Sequence, residues 1–477
     1  MRFPFSFLAY FAAFFLLGFS HWLGASFDDP SIDQILYHLH YSEGMGVDIG
    51  RIFLITFAAE CLGFPLLFAA GSMALQSAVL RLMTRSNRHR LRRAAGAALP
   101  AMTLCCGVAA LMAKLSVFSW IGYHFAEDRF SPHFVDAAQV RVQPRPGQLK
   151  NLVLIYVESL EDTYADANVW GRDLLLPLRN AGGVSFGNYR PAPGTNWTIA
   201  GMVASQCGVP LRIVSQSDVK PRGGNVRAFL PGATCLGDIL HAHGYRNVFL
   251  GGAPLSFAGK GKFLQDHHYD EAFGREEWQK AGVDPKTLGE WGLYDDELYA
   301  RAKLKLRELH ASGQRFNLTL LTLDTHNPNG FRSPTCTRRG LRSFEDIIEC
   351  ASWQAADFVQ FIQSAGYLQD TNVVILGDHL AVSNTIYEAL REIHDRRIFN
   401  QFISQEPARK NTEDILPFDL FPSILEFVGF EVPQRRLGLG YSALGAPAPQ
   451  RANDRLADLV LPSLSGSASY GQLWEAR

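Results

Sequence analysis

Glu158 directly follows Leu152–Val157, a short, apolar, β-branched-rich run, and Asp378-His379 follows a second run of the same shape in NVVILG. Runs of this length bounded by polar residues read as buried strands of a parallel sheet. In open α/β sheets the chemistry collects just beyond the carboxyl ends of the strands, so carboxylates and an imidazole there are metal-ligand or acid/base candidates. Taken singly, Glu158 fits equally well in a helix amino-terminal region rich in Glu and Ser; the matching downstream stretch favours the strand end. A third stretch, PGTNWTIAGMVASQCGVPL, puts a turn at Pro193-Gly194 and Thr198 at the start of a segment that can be helical. A hydroxyl there meets free backbone N–H groups and the positive end of the helix dipole, which suits phosphate; alone, Thr198 reads as a plain N-cap. As a set, the residues predict a divalent cation held by Glu158, Asp378 and His379 that activates the Thr198 hydroxyl as a nucleophile. Mixed carboxylate and imidazole ligands suit Mn²⁺ or Zn²⁺ better than Ca²⁺. Mn²⁺ is the expected cofactor, with Zn²⁺ and Mg²⁺ as alternatives.

The elements that must position these groups lie in a chain of 477 residues, enough for more than one domain. The formal net charge of -1 gives no support to nucleic-acid binding. Phenylalanine, 33 in all, is concentrated near the amino terminus. Three apolar stretches, at about 4–24, 52–80 and 94–113, are long enough to span a bilayer, and the second and third argue against a cleaved signal peptide at the first. The connection after the second carries Arg81, Arg85, Arg88, Arg90, Arg92 and Arg93, whereas that after the first carries Asp28, Asp29, Asp33, Glu43 and Asp48. The positive-inside rule then places the amino terminus in the cytoplasm and everything after the third span outside. Glu60, costly in lipid, is expected to face other helices.

Residues 114–150 read as an interfacial segment with Lys114, Trp120 and Tyr123, followed by an extended linker. From 151 to 442, apolar runs at 152–157, 247–250, 317–323 and 372–377 alternate with helical patterns such as 295–311 and 345–365. That alternation predicts an α/β domain, a mostly parallel sheet flanked by helices. Residues 443–477, rich in Ala, Pro, Ser and Gly, read as a loosely ordered tail. Cys61, Cys105 and Cys106 fall in apolar segments, and the absence of CxxC argues against a zinc finger. An exported location permits disulfides, for which Cys207–Cys235 and Cys336–Cys350 are the sequence-near pairings.

NLVLIYVESLE, PGTNWTIAGMVASQCGVPL, TLDTHNPNGF and NVVILGDHLAVSNT together resemble the membrane-anchored phosphoglycerol transferases of the alkaline phosphatase/sulfatase superfamily. The likeness is strongest to the type that modifies periplasmic glucans and weaker to lipoteichoic acid synthases and lipid A phosphoethanolamine transferases. It implies a sulfatase-like fold behind a three-helix transmembrane region in a bacterial inner membrane, with the catalytic domain in the periplasm. It further implies a phosphatidylglycerol donor, a glucan acceptor, and a covalent phospho-threonine on Thr198, with Thr195 the alternative nucleophile. Carried over by motif, Glu158, Thr198, Asp378 and His379 become metal ligands, His326 of DTHNP a contact to the phosphoryl head group, and Lys260 of FAGKGKF a basic substrate contact. Leu380, where the more distant branches carry Gly, favours the glucan-modifying branch. Phosphoethanolamine transfer, and a catalytically silent envelope-assembly scaffold, are the competing readings.

Cys207-Gly-Val-Pro-Leu-Arg212 comes near the sulfatase Cys-x-Pro-x-Arg signature but has one residue too many for a formylglycine site. His326, apart from the resemblance, reads as a solvated turn histidine. His267, His268 and His394 read as surface histidines, His394 a remote second-metal candidate, and Asp324 as a residue that shapes its turn.

Overall fold

The computed structural model describes residues 3–27, 30, 32–40, 51–82, 89–123, 125–212, 228–410, 414–445, 464 and 467–475. Asp28, Asp29, Glu43, Asp48, Arg85 and Arg88, used above to orient the spans, lie outside them. The chain divides into two units, Met1–Leu36 with Asp48–Gly122, and Tyr37–Val47 with Tyr123–Arg477.

In the first unit three helical segments, Phe5–Ser26, Leu54–Arg81 and Gly96–Lys114, are long and apolar enough to cross a membrane. They belong to α1 (Phe3–Phe27), to α2 (Arg51–Phe57) continued through a π-helical stretch (Ala58–Gly63) into α3 (Phe64–Leu82), and to α4 (His89–Lys114). Glu60 sits in the π-helical stretch, its carboxylate 2.9 Å from His21 Nδ1. The backbones approach closely there: a Cβ on Gly18 would fall 2.1 Å from the Glu60 carbonyl oxygen. Small residues permit such contacts between spans, where lipid supplies no hydrophobic drive.

The second unit is built on a six-stranded sheet of β1 (Asn151–Val157), β2 (Arg246–Gly251), β3 (Glu271–Phe273), β4 (Phe316–Leu321), β5 (Thr371–Gly377) and β6 (Asn400–Ile403). The spatial order is β3-β2-β4-β1-β5-β6. All neighbours are parallel except β5 and β6. Every residue of β1 and β5 is buried, as expected for strands covered on both faces. Leu152, Leu154 and Tyr156 enter one core with α5 (Thr198–Cys207), α6 (Leu236–Ala242), α7 (Lys260–Asp266) and α10 (Leu420–Phe427). Val153, Ile155 and Val157 enter the other with α8 (Asp295–Ala311) and α9 (Phe344–Ser364). The period-two alternation of Cβ directions thus divides one apolar run between two layers. Helix α9 starts at a capping box, Ser343 accepting from Asp346 N, and α8 at three acidic residues that complement its dipole.

Of the tail at 443–477, residues 446–463, 465, 466, 476 and 477 lie outside the described residues; part of the remainder is ordered. Ala468–Gln472 is helical, Tyr470 is fully buried, and its hydroxyl donates to Pro210 O at 2.7 Å and accepts from Arg212 N at 2.8 Å. Tyr470 and Trp474 supply the apolar area that outweighs the flexible composition around them. Disulfides join Cys207 to Cys235 and Cys336 to Cys350.

Candidate active site

β1 and β5 are paired in register to their last residues, Val157 opposite Gly377. Glu158 and Asp378 therefore leave the sheet side by side. Gly377 is what lets the chain beyond β1 cross over this edge, since a Cβ there would lie 2.0 Å from Leu160 O. Ser159 turns through a left-handed conformation, φ 52°, uncommon for a side chain with a Cβ. The turn aims its N–H at Asp378 Oδ1 (2.8 Å) and its hydroxyl at Glu158 Oε1 (2.7 Å).

The three strand-end residues converge. One donor atom each from Glu158, Asp378 and His379 lies within 4.8 Å of the others, and all three side chains are buried. His379 Nε2 is 3.5 Å from Glu158 Oε1 and 3.4 Å from Asp378 Oδ2. Its Nδ1 is 2.7 Å from Leu380 O; a carbonyl only accepts, so Nδ1 carries the hydrogen and Nε2 is the atom turned toward the carboxylates. Asp378 Oδ2 is buried with no hydrogen-bond partner. A buried carboxylate oxygen left in that state is costly, and a cation is the group that would satisfy it. The oxygen and nitrogen donor set fits a divalent metal. Among the described residues the other such grouping, Cys207, Cys235 and His267, has both sulfurs in a disulfide and supplies no thiolate.

The electrostatics agree with a site built for positive charge. Burial opposes ionisation of Glu158, but His379, His326, the Ser159 hydroxyl and Lys260 together hold its carboxyl below the usual range. Burial and the charge on Glu158 push Asp378 up to about 7. Burial also works against a charged His379, yet Asp378 and Glu158 outweigh it and hold the imidazole above its ordinary value.

Thr198 is the first residue of α5, after Trp197 in an extended conformation. Its Oγ1 stands 3.4 Å from Glu158 Oε2. Gly201 brings the helix this close, because a Cβ there would fall 2.0 Å from Asp378 O. Thr195 is placed differently: it is fully buried, and its hydroxyl donates to Ala192 O at 2.6 Å and accepts from Ala192 N at 3.1 Å. Lys260, at the start of α7, is also buried, and burial pulls its ammonium down to about 8 against the attraction of Glu158, Glu276 and Asp378. His326 is half-buried; its Nδ1–H donates to Asn327 O at 2.8 Å, and its ring lies 5.0 Å from that of Trp291.

The family model described as Sulfatase matches residues 150–430. The chain belongs to the sulfatase family. Its fold is of the sulfatase/alkaline phosphatase type. The chain is 39% identical over 346 residues to phosphoglycerol transferase I of Escherichia coli O127:H6 and, to the same degree, of Shigella flexneri. Each match covers 69% of this chain and 43% of the relative, so the chain spans less than half the length of these curated relatives. Among solved structures, an alkaline phosphatase superfamily protein from Vibrio parahaemolyticus aligns at 18% identity, covering 67% of this chain and 75% of that one, with TM-score 0.48. The lipoteichoic acid synthase LtaP from Listeria monocytogenes aligns at 17% identity over 64% and 79%, with TM-score 0.47.

In this sulfatase-family chain Cys207 is tied to Cys235, so it offers no thiol for conversion to formylglycine. His267, expected at the surface, is buried: its Nδ1 lies 2.8 Å from Asp238 Oδ2 and its Nε2 3.7 Å from Cys235 Sγ. The aspartate satisfies the ring, which is how a histidine is accommodated in a core. In the sequence Asp295 reads only as a dipole-complementing residue at the start of α8. Its buried carboxylate also accepts from Leu323 N at 2.7 Å and Asp324 N at 3.1 Å, fixing the turn that carries His326. Burial raises Asp295 to about 7 and, with the charge of Asp295, holds Asp324 well above the carboxylate range. The run of acids in LYDDELY is the one trace of this role in the sequence.

Proposed function

We propose that this chain is a metal-dependent phosphotransferase that moves the phosphoglycerol head group of phosphatidylglycerol to a hydroxyl of a periplasmic glucan. The observation that carries the reading is the Thr198 hydroxyl set against the Glu158, Asp378 and His379 cluster at the start of a helix. Similarity to phosphoglycerol transferases I supports the head group. The three apolar helices support a membrane-anchored protein; the inner membrane and a periplasmic position for this domain are part of the proposal, resting on the resemblance and on the arginine-rich second connection.

Glu158, Asp378 and His379, together with the Thr198 oxygen, would hold the metal, Mn²⁺ by preference. Bound there, a divalent cation would lower the pKa of the threonine hydroxyl and neutralise charge on the phosphoryl group. Thr198 Oγ1 gives up its proton and bonds to phosphorus as the bond to the diacylglycerol oxygen breaks. The departing oxygen takes a proton, and glycerophosphoryl-Thr198 results. An acceptor hydroxyl then attacks the same phosphorus, loses its proton and restores Thr198. With the His326 Nδ1–H donating to Asn327 O, Nε2 is the atom that would accept the proton Thr198 gives up and, once protonated, donate to a phosphoryl oxygen. Lys260 opposes their negative charge as a point charge rather than a bidentate fork. Anchoring the domain in the membrane keeps it at high effective concentration of a lipid donor.

The experiment is to quench full-length protein with Mn²⁺ and phosphatidylglycerol labelled in the glycerol head group, then map the label by peptide mass spectrometry. A glycerophosphoryl adduct on Thr198, chased onto glucan, is expected. Label from an ethanolamine head group in its place would assign the donor to phosphatidylethanolamine, and an unlabelled Thr198 peptide would remove the covalent scheme.

A further inference from the structure

Strand pairing positions the two ligand-bearing chains only as far as Val157 and Gly377, one residue short of Glu158 and Asp378. Beyond that, each chain turns away, and separate bonds must set their spacing. One crosses between the ligands, from Ser159 N to Asp378 Oδ1. Phe399 links the same two chains, accepting from Gly377 N at 2.8 Å and donating to Leu160 O at 3.0 Å, and a further link is made by a charged pair that the chemistry above leaves unused.

Glu161 is fully buried. Its Oε1 accepts from Ala381 N at 2.8 Å and from Arg396 Nη2, and its Oε2 accepts from Arg396 Nε at 3.0 Å and from Thr163 Oγ1 at 2.7 Å. Each oxygen is occupied by two donors, so Glu161 is not a further ligand. Arg396 Nη2 also donates to Ala381 O at 2.5 Å. The pair therefore grips both the N–H and the C=O of one residue, two positions beyond His379. It does so from a carboxylate three positions beyond Glu158. The guanidinium lies over the Tyr387 ring, 5.5 Å from its centroid, and the chain around Arg396 is bonded to the same crossing segment through Asp162 N to Arg397 O and Phe399 N to Leu160 O, at 2.8 and 3.0 Å. The two charges cancel, so the pair adds no net charge to the cation site.

We propose that Glu161 and Arg396 are positioning residues that set the separation of Glu158 from Asp378 and His379, and so the affinity of the site for a divalent cation. The inference rests on the reading that those three residues hold a cation. Partners bonded directly to metal ligands commonly contribute about 10- to 100-fold in affinity; this pair holds the chain two residues beyond His379, so the lower end of that range is expected, and the planar Arg fork is what reaches Glu161 and Ala381 together.

The test uses the full-length protein in detergent, stripped of metal and titrated with Mn²⁺, the free ion being read by electron paramagnetic resonance. Thermal unfolding of the metal-free form is recorded for each variant. Arg396→Lys keeps the charge but not the fork, and is expected to weaken Mn²⁺ binding by about 10-fold. The control is Arg435→Lys, in the Arg435–Glu426 pair (2.8 Å), expected to alter unfolding and leave Mn²⁺ affinity unchanged. If Arg396→Lys does not fold, the charge-free double variant Glu161→Gln with Arg396→Met is read in its place, with the same loss expected. Wild-type affinity in the folded Arg396 variant, or an equal loss in the Arg435 control, overturns the proposal. A wild-type protein that takes up no Mn²⁺ or Zn²⁺ would instead overturn the metal reading beneath it.

Discussion

The hydroxyl of Thr198 lies 3.4 Å from Glu158 Oε2 although the two residues are 40 positions apart, and this contact is what joins the helix start to the strand end. Thr195, three residues away, spends its hydroxyl on Ala192. The two threonines are therefore expected to behave differently. Thr198→Ala should lower kcat for head-group transfer by about 10⁴-fold or more, as loss of a nucleophile does, with unfolding unchanged. Thr195→Ala should cost about 1 kcal/mol of stability for its lost turn bond and keep most activity per folded molecule. Steady-state rates paired with thermal melts of both variants decide this, and a reversed pattern would move the nucleophile to Thr195.

Gly201 tests the placement of the helix. An added methyl would meet Asp378 O at 2.0 Å, inside any tolerable contact, and both partners are backbone. Gly201→Ala should push α5 away from the strand ends, at about 1–3 kcal/mol of overpacking, and carry Thr198 with it. A displacement of that order is expected to lower kcat about 10²-fold. Activity assayed well below the melting temperature separates displacement from unfolding, and near-normal kcat would show that the helix has room to give.

Much of this site was legible because strands buried on both faces are continuous apolar runs. The runs at 152–157 and 372–377 correspond to Asn151–Val157 and Thr371–Gly377, and the polar residue ending each is a member of the cluster. The edge strands Glu271–Phe273 and Asn400–Ile403 were missed, being too short to show a period. The run 317–323 overshot β4, which ends at Leu321; Leu323 N bonds the Asp295 side chain instead of a neighbouring strand. Asp295, Arg396 and Tyr470 owe their roles to partners far off in the chain, and local pattern carries no trace of such pairings.

The buried acids predict how the metal-free protein responds to pH. Asp378 and Asp295 are each raised to about 7, so the folded state holds protons that the unfolded chain releases near the ordinary carboxylate value of about 4. Their contribution to stability is fully present below that value and is lost as pH rises through about 7. Glu158, whose carboxyl is lowered, acts oppositely, but its contribution is lost only in more acidic solution. Metal-free protein should therefore melt at a lower temperature at pH 8 than at pH 6. Added Mn²⁺ competes with the proton on Asp378 and should raise the melting temperature more at pH 8; saturation at 100 times Kd contributes about 2.7 kcal/mol. Equal shifts at both pH values would argue that Asp378 is not a ligand.

The proposed contact of Lys260 with the donor phosphate predicts an alkaline limit on the reaction. Its ammonium, pulled down to about 8 by burial, loses its proton as pH rises through that value, and with it the attraction for the donor phosphate. A cation held by Glu158 and Asp378 would offset the two carboxylates that now support the charge, so the limit falls at or below pH 8. Because kcat/KM reports the free enzyme, it should decline up to about tenfold per pH unit above the limit. Arginine stays charged throughout this range, so Lys260→Arg should flatten the alkaline limb while lowering the plateau, its longer fork being mismatched to the buried site. Lys260→Gln should show the reduced kcat/KM of the deprotonated enzyme at every pH. An unchanged alkaline limb in Lys260→Arg, measured on phosphatidylglycerol in mixed micelles, would assign that ionisation to another group.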